Sequence, residues 1–188
     1  MKTYYLLLMA IIFFCSSCEE LEELIEEEFE VQTTFITELE TNVPNASSPE
    51  EAVNFKSNLG FWDFTQDPNV SEYLGDPDEI TKIEINSVRY FYKNVTGNED
   101  AHVQGEMVFS VGQGGESYST VQTNLAQADF NNTAYNLAGD FSPVNNAITQ
   151  FRSIGFFYEG SVSDNPVRFT TDVSITVTVT IKPDIDNF

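Results

Sequence analysis

Thirty carboxylates and a single histidine set the chemistry available to this 188-residue chain. His102 stands on the polar side of an alternating run with no second ligand type beside it, which reads as a surface histidine and not as a metal ligand or general base. A serine or cysteine nucleophile would need this same imidazole, and no nucleophile-elbow spacing is present. Glycoside hydrolysis needs only a pair of well-placed acids, but the abundance of carboxylates singles out none of them. Asp63, Asp67, Asp76, Asp78 and Glu79 lie among prolines and glycines, where turn formation accounts for them. Asp76-Pro77-Asp78 and Asp184-Ile185-Asp186 lack the glycine and terminal glutamate of an EF-hand loop, so no cofactor is expected beyond an irregular structural calcium site. Gly112-Gln113-Gly114-Gly115 joins two strand-like runs and opens no helix, which reads as a flexible connection and not a phosphate loop. Asn45, Asn69, Asn94 and Asn132 stand in glycosylation sequons and are read as turn residues.

Phe61-Trp62-Asp63-Phe64 is the most suggestive aromatic cluster. Sugar-binding surfaces use exposed aromatic faces flanked by acidic or amide groups, and Trp62 is the candidate ligand-binding aromatic. The competing reading has Trp62 plugging the core of a small domain, because large aromatics near strands pack.

Eight basic against thirty acidic side chains give a formal charge of −22. That balance leaves no electrostatic footprint for a phosphate backbone, so nucleic acid is excluded as a main partner. Sixteen Phe, eight Tyr and one Trp, with only ten Gly and seven Pro, exclude collagen-like and fully disordered chains. Two cysteines cannot build a disulfide framework or a structural zinc site.

The first eighteen residues carry the most specific signal. Met1-Lys2 supplies a positive start, Tyr4 to Phe14 is an unbroken apolar run, and Cys15-Ser16-Ser17-Cys18 ends it with small side chains. Such a segment is a signal peptide, too short to span a bilayer as a helix of the mature protein. Its ending resembles the lipobox of bacterial lipoproteins, in which small residues precede a cysteine that is lipidated and becomes the mature N-terminus. Cys18 takes that role. Cys15 does not, because Phe13 and Phe14 would occupy the positions that need small side chains. The pattern departs from the family at the third position before Cys18, usually aliphatic and here Cys15. An ordinary secreted protein cleaved near Ser17 is the alternative. Cleavage before Cys18 removes Lys2 and keeps every acid, making the mature chain one unit more negative, and leaves no second cysteine for a disulfide.

Eight glutamates follow between Glu19 and Glu30. Leu21, Leu24 and Ile25 have helical spacing, but like-charge pairs four apart such as Glu19/Glu23 and Glu22/Glu26 make a free helix marginal. The segment reads as a solvated acidic tether over residues 18–28. It also resembles the export signal of surface lipoproteins in Bacteroidetes-type bacteria, where acids follow the lipidated cysteine.

From Phe29 onward the dominant period is two, and residues 29–188 read as one domain. Val167, Phe169, Val173, Ile175, Val177, Val179 and Ile181 alternate with polar residues, broken only by Thr171, so one face of a long final strand is buried and the other is a wet threonine ladder. His102 to Val111 alternates in the same way. Between Ile83 and Tyr92 the apolar phase slips by one at Asn86-Ser87, the mark of a β-bulge. Turn chemistry at Thr96 to Asp100 predicts a hairpin joining these two runs. Further strands are expected at Phe29 to Leu39, Ser117 to Asn124, Thr133 to Leu137 and Phe156 to Val162. About seven strands favour an antiparallel β-sandwich. Ser142-Pro143 opens a helix on Val144, Ile148 and Phe151 that Gly155 closes, and Ser48-Pro49-Glu50-Glu51 is a capping box for a second, shorter one.

Asp67-Pro68-Asn69-Val70-Ser71-Glu72-Tyr73, Ile80 to Tyr90, and Gly160-Ser161-Val162 with Pro166-Val167-Arg168-Phe169 resemble small cell-envelope lipoproteins of uncharacterised function from Bacteroidetes-type bacteria. That resemblance implies a β-sandwich in the cell envelope and transfers no catalytic residues. The expectation is a non-enzymatic lipoprotein, anchored in the outer membrane through Cys18 and surface-exposed, presenting an acidic interaction domain to an envelope protein or glycan. A glycan-binding module for polysaccharide capture is the alternative, and a carboxylate-pair hydrolase ranks third.

Overall fold

β-Branched and aromatic residues at alternate positions build two antiparallel sheets around one core in the computed structural model, which describes residues 28–46, 48, 52–112 and 114–183. The signal segment, Cys18, the acidic tether, the Pro49 to Glu51 part of the capping box and Asp184-Ile185-Asp186 lie outside the described residues.

The final strand dominates the first sheet. Strand β10 (Val167–Ile181) is flanked by β1 (Phe29–Val43) and β4 (Ile80–Gly97), and the two-residue β8 (Tyr135–Asn136) adds to β4, giving the order β1-β10-β4-β8. Every odd-numbered residue from Val167 to Ile181 is buried. β1 pairs with β10 without a slip from Phe29↔Ile181 to Val43↔Val167. On the other side Thr176 pairs with Ser87 and Val177 with Ile85, leaving Asn86 as the extra residue of a bulge at the phase change seen in the sequence.

The second sheet has the order β2-β9-β5-β6, formed by β2 (Val53–Lys56), β9 (Ser153–Val162), β5 (His102–Val111) and β6 (Gly114–Ser119). β3 (Gly60–Asp63) adds to β9 and β7 (Thr123–Asn124) to β5. The fold is therefore an antiparallel β-sandwich, with ten strands among the described residues where about seven were expected. β2 and β3 were missed because four residues are too few to establish a period.

The expected β4–β5 hairpin is absent. β4 pairs in the first sheet and β5 pairs with β9 and β6 in the second, so the turn at Thr96 to Asp100 carries the chain across the sandwich. Turn residues specify a reversal but not that both arms share a ladder. This turn is held from elsewhere: Asn98 N donates to Pro166 O at 3.0 Å. The expected strand from Ser117 to Asn124 divides into β6 and β7, followed by helix α2 (Leu125–Phe130) after the short α1 (Pro68–Ser71). Helix α3 (Ser142–Phe151) forms as expected, but it ends on Arg152, which adopts the left-handed conformation at φ 54°, while Gly155 belongs to β9.

The helices resolve the edge of β4, which would otherwise present a long row of unpaired amides. Asn145 Oδ1 and Thr149 Oγ1 of α3 accept from Ile85 N at 3.0 Å and Ile83 N at 2.8 Å. Asp129 Oδ2 of α2 accepts from Val95 N at 2.8 Å. Inside, the sheets are joined by a buried polar bridge. Tyr92 OH of β4 and Tyr158 OH of β9 lie 2.9 Å apart, and Thr120 Oγ1 is 3.1 Å from Tyr158 OH while donating to Gly105 O. Burial pushes the Tyr158 phenol up to about 12 and the Tyr92 phenol well above its ordinary value, so both hydroxyls stay protonated at physiological pH.

Candidate functional site

The acids of the Pro- and Gly-rich stretch do what turn residues do. Asp63 accepts from Thr65 N at 3.0 Å and Asp76 from Asp78 N at 2.8 Å, each opening a short 3-10 turn. Asp67 goes further. Its carboxylate caps α1 through Asn69 N at 2.9 Å, accepts from Thr33 Oγ1 of β1 at 3.1 Å and takes the indole N–H of Trp62 at 3.2 Å. Asn94 and Asn132 adopt positive φ, as turn asparagines do.

Trp62 is therefore a core residue. It is 3% exposed, stacks on Phe35 with centroids 5.0 Å apart and packs against Phe64 at 4.3 Å. The reading of Trp62 as a ligand-binding aromatic does not survive, because alternation along β3 turns it inward and its polar atom is already spent on Asp67. The same alternation turns Phe61 outward, where it is 59% exposed. His102 is exposed with Nδ1 2.8 Å from Asp100 O. Among the described residues no three His, Cys, Asp or Glu side chains stand together as a metal site.

What the sheet register does bring together is a row of polar side chains on the outer face of the second sheet. Glu106 lies directly opposite Glu159, and Gln104 directly opposite Ser161. On the flanks, Lys56 pairs with Glu159 and Asn54 with Ser161, while Ser119 pairs with Glu106. All of these except Lys56 line a groove of about 630 Å³ whose floor is Gly105 and Gly160. Neither glycine has room for a side chain: a Cβ at Gly105 would stand 2.3 Å from Glu159 O and 2.9 Å from the Tyr158 ring, and one at Gly160 would stand 2.3 Å from Gln104 O. Lys56 Nζ is 3.7 Å from Glu159 Oε2 and 3.5 Å above the Phe157 ring, so the cation at the rim is already engaged.

Sequence reasoning placed Glu106 on a polar strand face but did not find the pair. Alternation says which way Glu106 and Glu159 point. Only the register between β5 and β9 sets them opposite each other.

No family model and no curated protein matches the chain. Among solved structures it is similar to the BFDV capsid protein in a 60-mer, at 10% identity over 85% of this chain and 97% of that one, with a TM-score of 0.35. The same capsid protein as a decamer matches at 7% identity over 81% and 98%, TM-score 0.34. A chain of infectious bursal disease virus strain Gx matches at 8% identity over 83% of this chain and 32% of its own, TM-score 0.26.

Proposed function

We propose that this protein is a lipid-anchored lipoprotein of the cell envelope, held in the outer membrane through Cys18 and exposed at the surface, that presents an acidic β-sandwich as a non-enzymatic interaction domain. The observation that carries this reading is the apolar run Tyr4 to Phe14 followed by Cys15-Ser16-Ser17-Cys18. The position of the domain supports it. β1 begins at Phe29, so the residues from Cys18 to the domain reach up to about 35 Å when extended, and their glutamates repel anionic head groups. Acyl chains contribute about 0.8 kcal/mol per buried methylene, and the acidic tether adds no membrane attraction of its own. No helix among the described residues is long and apolar enough to cross a membrane.

A binding role is favoured over hydrolysis by the setting of the two facing acids. Glu106 is exposed, and the side chain of Glu159 is 45% exposed and ion-paired with Lys56, so neither acid is withdrawn from water.

The test is Cys18→Ala in cells fed a labelled fatty acid. Loss of the label and of membrane fractionation is expected. Intact labelling and an unchanged membrane fraction in the variant would refute the assignment.

A further inference from the structure

The polar groove does not end at its glutamates. Along β9 the outward positions run Gly155, Phe157, Glu159, Ser161, a strip about 20 Å long. Phe61 pairs with Gly155 at one end of this strip. There Leu59 and Phe61 are 60% and 59% exposed, and Phe157 lies half-buried between them and the glutamates. One face therefore offers an apolar platform running into a block of carboxylates, carboxamides and hydroxyls. We propose that this strip is a binding site for a neutral, hydroxyl-rich chain, an oligosaccharide without charged groups.

The donor and acceptor inventory selects that class. Carboxylates such as Glu106 and Glu159 only accept, the amides of Asn54 and Gln104 do both, and a vicinal diol both donates and accepts. Among the described residues Glu106 has no ion-pair partner, so its lone pairs are open to ligand hydroxyls. Charge disfavours anionic ligands. A phosphate or uronate would meet two carboxylates and find Lys56 already held by Glu159 and Phe157. The apolar C–H faces of sugar rings bury well against exposed aromatic rings, which is the part Phe61 supplies.

The site is also rigid. Its floor is the Gly105–Gly160 pair with the Tyr158 ring packed beneath, and Tyr158 is tied through Thr120 and Tyr92 to both sheets. A preformed sheet face loses little freedom on binding, so a shallow site gives measurable affinity.

This inference names the ligand class of the interaction domain proposed above, and its readout does not depend on acylation. The experiment is calorimetric titration of the full-length protein in detergent with neutral hexasaccharides of glucose, mannose and xylose, and with hexagalacturonate as the charged counterpart. At least one neutral hexasaccharide binds and hexagalacturonate does not. Glu106→Ala, Asn54→Ala and Phe61→Ala each weaken binding about tenfold or more, with thermal midpoints within a few degrees of the parent. Thr176→Ala on the opposite sheet leaves affinity unchanged. Absence of binding by every neutral hexasaccharide, affinity unaffected in Glu106→Ala, or binding abolished by chelation of divalent cations would each overturn the proposal. Failure here with Cys18 still acylated would leave the anchor assignment standing.

Discussion

Val177 and Thr178 are adjacent in β10 and face opposite ways, so a carboxylate at each position measures the assignment of the sheet faces. Val177 is 0% exposed, with Thr33 of β1 and Ile85 of β4 as cross-strand partners. Val177→Asp removes an apolar side chain whose burial stabilises by about 1.5–3 kcal/mol. It also places a carboxyl among the buried faces of Ile175 and Val179, which costs a further ~2–4 kcal/mol for want of a donor. The sum, about 3.5–7 kcal/mol, approaches the whole stability of a marginal domain, about 5–15 kcal/mol. At roughly 2–4 °C per kcal/mol for a domain of this size, the melting midpoint falls by about 7–28 °C. Thr178 accepts from Asn86 Nδ2 at 2.8 Å on the outer face and pairs across the strand with Glu84. A carboxylate there keeps the asparagine contact but meets a like charge, costing less than about 1 kcal/mol. Burial raises the pKa of the carboxyl introduced by Val177→Asp, so its deficit is smallest below the unfolded value of about 4 and grows as pH rises above it. The assay is paired chemical and thermal denaturation at pH 4 and pH 7. Comparable losses, or a worse loss for Thr178→Asp, would refute the face assignment and with it the place of β10 at the centre of the sheet.

Asp67→Ala leaves Trp62 Nε1, Thr33 Oγ1 and Asn69 N without their shared acceptor; a loss of about 2–3 kcal/mol and a shifted Trp62 emission are expected, and an unchanged denaturation midpoint would contradict the capping role. Thr171 is 0% exposed and its Oγ1 has no hydrogen-bond partner among the described residues, so Thr171→Val raises stability by about 1 kcal/mol; a lower midpoint would mean that the hydroxyl is satisfied. Alkaline titration exposes the buried tyrosine bridge. Because the folded-state pKa of Tyr158 is raised to about 12, its stabilisation is complete below the unfolded value of about 10 and is lost as pH climbs from there toward 12. Tyr92→Phe with Tyr158→Phe should flatten that decline, and an equally steep decline in the double variant would place its cause elsewhere. Removal of residues 1–28 should leave the thermal transition unchanged, since β1 starts its pairing at Phe29↔Ile181; loss of cooperative unfolding would show that Leu21, Leu24 and Ile25 dock on the domain.

Much of this molecule is written locally. The period of two in Val167–Ile181 fixes which side chains of β10 are buried because successive Cβ atoms must point to opposite faces, and the slip at Asn86 is visible because a bulge adds one residue to one strand. Asp63, Asp67 and Asp76 cap from sequence because an Asx side chain reaches its own backbone two residues on. Tertiary structure decided what depends on partners distant in the chain. The Thr96 to Asp100 turn looks the same whether its arms pair or part, and only the pairing of β4 with β10 and β5 with β9 sends them to different sheets. Trp62 and Phe61 are neighbours with similar chemistry, and which one enters the core was settled by the register of β3 on β9. Glu106 and Glu159 stand more than fifty residues apart, and nothing near either position specifies the other. Hydrogen-bond register between strands is set by the whole core closing at once, so the face they share exists only in the folded chain.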